Sequence, residues 1–175
     1  MTIAFLMPLL LAASTTDVST LDCPAIVAKT DYTDDTDLCM TAKMAPSVYT
    51  EGMTCIGKFD GRRALEQRIT AFISEGKKAD WEKQIAANDP LAAQLAKLLA
   101  RSKEDPDLDQ AAGQAAYDAA RGPLDAAASQ AGPDQLKLWQ AEPQMGKRCL
   151  DVMNFFDANL STRADERDKA SLDKD

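Results

Sequence analysis

Residues 63–76 read RALEQRITAFISEG. Leu65, Ile69, Phe72 and Ile73 recur at the spacing of one helical face, with polar and charged residues between them. Gly76 suits the position just past a helix end. The spacing therefore predicts an amphipathic helix, and the same grammar of apolar spacing with Pro and Gly punctuation extends in both directions.

Towards the N-terminus, Gly61 reads as a junction, and Pro46 opens a helix carrying Val48, Ile56 and Phe59. A first helix is expected from about Asp37 to Lys43. Towards the C-terminus, residues 78–87 place Trp81 and Ile85 four apart on a short helix. Asp89-Pro90 caps and opens a helix on Leu91, Leu95, Leu98 and Leu99. Asp105-Pro106 repeats the device and leads into an Ala-rich stretch ending at Arg121. Gly122-Pro123 and Gly132-Pro133 read as breaks, followed by a short helix over 134–141 with Leu136 and Trp139. The last helix is expected from near Pro143, with Met145, Cys149, Val152, Met153, Phe156 and Leu160 on its apolar side. No alternating β-branched run or Asn-Gly or Asp-Gly turn competes. The fold class is all-α: a compact, irregular bundle of about six to eight short helices.

Four organisational segments follow. Residues 3–13, IAFLMPLLLAA, are an apolar run of eleven, short of the about 20 that span a bilayer. With Ala12, Ala13 and Ser14 behind it, the run reads as a signal peptide over 1–14, although no Lys or Arg precedes it. A buried helix is the alternative. Residues 15–37, rich in Thr and Asp, read as an extended polar N-terminal arm. Residues 38–160 form one helical domain, and 161–175 a charged C-terminal tail that frays into solvent.

Cys23, Cys39, Cys55 and Cys149 all lie beyond the leader, and their number is even. In an oxidising compartment they read as two disulfides. Three pairings are possible and sequence does not choose among them; the expectation is that Cys39 or Cys55 joins Cys149 and the remaining two N-terminal cysteines pair. The bridge to Cys149 closes a loop of roughly a hundred residues, worth about 4–5 kcal/mol on the chain-entropy model. A four-thiolate zinc site is disfavoured, since no Cys-x-x-Cys occurs.

The chemistry is bounded first by an absence: the sequence contains no His. That removes Ser-His-Asp and Cys-His nucleophile activation and the commonest metal ligand. No nucleophile elbow, phosphate loop or dinucleotide fingerprint is present. No catalytic residue, metal set or cofactor is assigned. The net charge of −8 argues against nonspecific nucleic-acid binding. Charge is uneven, however. Residues 57–103 carry ten basic and six acidic groups, and residues 104–145 carry two and eight. Arg62, Arg63, Arg68, Lys77, Lys78 and Lys83 are therefore a candidate anion or partner face, against the plain alternative of solvated surface.

The sequence carries three acidic clusters: Asp31, Asp34, Asp35 and Asp37; Asp105, Asp107 and Asp109; and Asp165, Glu166 and Asp168. The second resembles the opening of a calcium loop. Gln110 and Ala116 stand where that loop needs Gly and Glu, and helix-start acids explain it better. The third, interleaved with Arg163, Arg167 and Lys169, reads as a solvated helix surface. Paired carboxylates for hydrolysis would draw on Glu66 and Glu75 or on Asp151 and Asp157. The resulting expectation is an exported, periplasmic or secreted, non-enzymatic binding module of a bacterial envelope that engages an envelope protein or polymer. A His-free hydrolase and a structural envelope component are the alternatives.

Overall fold

The computed structural model describes residues 18–29, 31–130, 134–141 and 146–172. The proposed signal peptide, 1–14, lies outside the described residues. After a 3-10 turn at Val18–Thr20 come eight α-helices: α1 Cys23–Val27, α2 Asp34–Thr41, α3 Pro46–Thr70, α4 Glu75–Ala86, α5 Asp89–Ser102, α6 Gln110–Ser129, α7 Asp134–Ala141 and α8 Lys147–Leu172. There is no strand among the described residues. This is the all-α, disulfide-stapled bundle the sequence predicts, with α3, α6 and α8 longer than expected. No described helix is long and apolar enough to cross a membrane.

The helix grammar fails where packing outweighs punctuation. Gly61 is no junction, because α3 runs through it. At that point α6 comes so close that a Cβ on Gly61 would sit 2.8 Å from Leu124. Pro123 likewise lies inside α6. Its ring removes one intrahelical hydrogen bond, but α6 is held against α3 on both sides of it, by Tyr117 over Gly57 and Leu124 over Gly61. Conversely, α3 stops at Thr70, before Gly76, and Gly76 falls in the first turn of α4. Phe72 then lies in the connecting turn, 64% exposed, rather than on the core face.

Both chain ends depart from the expected organisation. The polar N-terminal segment holds α1 and the start of α2 rather than a continuous extended arm. Its Asp and Thr residues act as helix caps. Asp22 accepts from the Ala25 N–H, and Thr33 and Thr36 form a reciprocal capping box. At the other end, α8 stays helical to Leu172. It is anchored past Leu160 by Arg163 and Arg167, which reach Asp105.

The core has two parts. The larger gathers Tyr49, Met53, Ile56 and Phe59 from α3, Leu95 and Leu98 from α5, and Val152, Met153, Phe155, Phe156 and Leu160 from α8. The smaller joins Leu65, Ile69, Trp81, Leu124 and Ala128, with Trp139 packed on it. Cys23 pairs with Cys39, tying α1 to α2, and Cys55 pairs with Cys149, tying α3 to α8. Of the two expected pairings, this is the one with Cys55 joined to Cys149.

Candidate functional site

A concavity of about 490 Å³ lies beside the N-terminal segment. Its construction begins with α8. Asn159 is fully buried, and its Nδ2 donates to the carbonyls of Cys39 and Met40, each at 3.0 Å, and of Ala42 at 3.3 Å. Arg163 Nη1 donates to the same Ala42 carbonyl at 3.3 Å. These bonds satisfy the orphan carbonyls at the end of α2 and fix where the chain leaves that helix. The backbone is extended at Ala42, with ψ of 154°, and again at Ala45, with ψ of 137°, before Pro46 opens α3.

This link and the 18–24 segment together line that pocket. Leu21, Met44, Val48, Phe155 and the Cys23–Cys39 bridge supply most of its apolar lining. Arg148 closes one rim. Its Nε and Nη2 donate to the two Glu51 oxygens at 2.7 and 2.8 Å, and its Nη1 donates to Asp22 Oδ1 at 2.7 Å. The hydrogen bond from Arg148 outweighs partial burial and holds the Asp22 carboxyl below its usual range. The same bonds, from Glu51 first and Asp22 second, raise the Arg148 guanidinium. Lys43, also in the lining, pairs with Asp107 at 3.2 Å.

The six basic residues differ in exposure and partners. Arg62 is turned inward. Its guanidinium lies 4.5 Å from the Trp139 ring centroid, donates to the Trp139 carbonyl and approaches Glu66 at 3.3 Å. Arg63 pairs with Asp89 and Lys78 with Glu75. Arg68, Lys77 and Lys83 are exposed. The carboxylates considered for hydrolysis are each tied to a different cation. Glu66, 3% exposed, accepts from Trp139 Nε1 and meets Arg62, while Glu75 meets Lys78, Asp151 meets Lys147 and Asp157 meets Arg101. A smaller cleft beside this cluster, about 180 Å³, is lined by Phe59, Arg62, Arg63, Glu66 and Leu91, among others.

The acidic string 105–109 has an internal occupant. Asp105, 1% exposed, receives Arg163 Nε and Nη2 at 2.9 and 3.0 Å, and Arg163 also reaches Asp107 at 2.7 Å. Asp109 caps α6. Arg163, read from sequence as solvated, is thus buried. Among the described residues no group of three or more His, Cys, Asp or Glu side chains could hold a metal ion. Sequence reasoning missed Asn159, Arg148 and the pocket. The signal for Asn159 was its place in the α8 apolar stripe between Phe156 and Leu160, where a polar residue needs a buried partner. Compared with protein-family models, with curated proteins and with solved structures, the chain matches none.

Proposed function

We propose that this chain is an exported, non-enzymatic binding module of a bacterial envelope, periplasmic or secreted, and that the pocket between residues 18–24 and 42–48 is its recognition site. The observation that carries the reading is the pocket itself. At about 490 Å³, with an apolar lining and a few convergent polar groups, it has the character of a ligand site. Two disulfides support residence in an oxidising compartment. The buried ionisable groups Glu66, Asp105 and Arg163 are held by internal partners, which favours structural roles for them.

The test is site-specific photocrosslinking in the host, with benzoylphenylalanine at Val48 on the pocket or at Lys83 on the exposed basic surface. The reading expects an adduct from position 48 and none from position 83. Adducts from position 83 alone would move recognition to the basic surface. Arg68, Lys77 and Lys83 favour that second reading, being exposed with no ion pair among the described residues. Such a complex would dissociate as salt is raised to about 0.5 M.

A further inference from the structure

The pocket has a feature that an apolar cavity does not need. In the stretch between α2 and α3, the N–H groups of Lys43, Met44 and Ala45 and the C=O groups of Lys43 and Met44 have no hydrogen-bond partner among the described residues. The groups flanking them are all engaged. The Ala42 N–H bonds Leu38, the Ala42 carbonyl accepts from Asn159 and Arg163, and the Ala45 carbonyl accepts from Val48 and Tyr49. A link whose backbone is extended at both ends and whose main-chain donors and acceptors are free offers pairing to a second extended chain. Here it is held at both ends, by Asn159 and Arg163 at Ala42 and by the start of α3 at Pro46, so little ordering remains to be done on binding.

Charge narrows the occupant further. Each charged residue lining the pocket is already in an ion pair: Arg148 with Asp22 and Glu51, and Lys43 with Asp107. A charged group entering would lose water and find no free counter-charge. We propose that the pocket receives a neutral, extended segment of a partner polypeptide, whose main chain pairs with Lys43–Ala45 while one bulky apolar side chain fills the cavity lined by Leu21, Val48 and Phe155. An extended chain sends alternate side chains to opposite sides, so one residue enters and its neighbours face outward. An acyl chain would match the apolar lining but leave the main-chain groups unanswered.

This inference rests on the pocket being the recognition site, and its test separates the two. The ¹⁵N-labelled chain is titrated with terminally blocked hexapeptides in which Thr alternates with Leu, Val or Phe. The same peptides N-methylated at alternate residues, in both registers, and decanoate complete the set. The expected result is a shift of main-chain amide resonances within Lys43–Ala45 with at least one unmodified peptide, and roughly three- to tenfold weaker binding for one methylated register, the loss of one hydrogen bond to a main-chain carbonyl. Equal binding in both registers, or peptide shifts confined to other surfaces, overturns the inference. Decanoate entering the pocket while no peptide does overturns it too, but leaves the pocket as a binding site. If neither class perturbs the pocket, both readings fall.

Discussion

Asp105 and Arg163 account for much of how the last helix is fixed, and neither side chain is available to a ligand. Burial pushes the Asp105 carboxyl up, but hydrogen bonds from Arg163, the Asp107 N–H and Arg167 more than offset it and hold the group below its usual range. A carboxyl lowered in the folded state contributes stability that is fully present above its unfolded value, about 3.9, and is lost as pH falls through the lower folded value. Asp22 and Asp107 are lowered as well, by hydrogen bonds from Arg148 and Arg163 respectively, and add to the same acid limb. Stability measured by denaturant between pH 2 and 6 is therefore expected to fall below about pH 4. The Asp105→Asn variant should be less stable at pH 7 and flatter in acid, and an unchanged acid limb would count against the assignment. Arg163→Ala leaves a buried carboxylate facing only Arg167 and is expected to cost about 3–5 kcal/mol, at the lower end because Arg167 remains. These roles were only half legible in the sequence. The acidic string was visible, but its partner lies 58 residues away, and no local pattern pairs residues at that distance.

At the scale of elements, α3 and α6 define the bundle, and their closeness depends on small residues. A Cβ on Gly57 would lie 2.4 Å from the Tyr117 carbonyl oxygen, a backbone atom that cannot turn aside. Gly113 meets the Tyr49 ring in the same manner from the other helix. Gly57→Ala is therefore expected to destabilise by about 1–3 kcal/mol or more, as overpacking does. Gly122, also inside α6, has nothing within 4 Å of an added Cβ, and Gly122→Ala should stabilise by roughly 0.5–1 kcal/mol from helix propensity alone. Thermal unfolding of the two variants decides this, and similar effects from both would mean that α3 and α6 are not in close contact. The helices were legible where apolar spacing and caps agreed, as in α4 and α5, which lie close to their expected bounds. The expected break at Gly61 was misleading because a glycine that admits a neighbouring helix and a glycine that ends one look alike until the neighbour is placed. At Gly122-Pro123 no neighbour approaches the glycine, and α6 is instead carried through by its packing on α3 at Tyr117 and Leu124. The candidate pocket was illegible for a related reason, since its walls come from residues 18–24, 42–48 and the start of α8, segments that only the tertiary fold brings together.

For the whole molecule, the two disulfides join what sequence separates. Cys55–Cys149 closes 94 residues and ties the longest helices, and on the chain-entropy model such a loop is worth about 4–5 kcal/mol. Cys23–Cys39 closes 16 residues and is worth about 3 kcal/mol, but it also forms part of the pocket wall. Losing the short bridge should therefore weaken ligand binding more than its share of stability suggests, while losing the long one should lower stability first. The pairing is the claim on which both the fold and the proposed recognition site depend. Cleavage after Lys29, Lys43, Lys58 and Arg148 places the four cysteines on four separate peptides. The most direct measurement is the mass of those peptides from the protein isolated without reduction from its host. The account predicts two linked pairs, Cys23 with Cys39 and Cys55 with Cys149. Four free thiols, or Cys149 linked to Cys23 or Cys39, would contradict it.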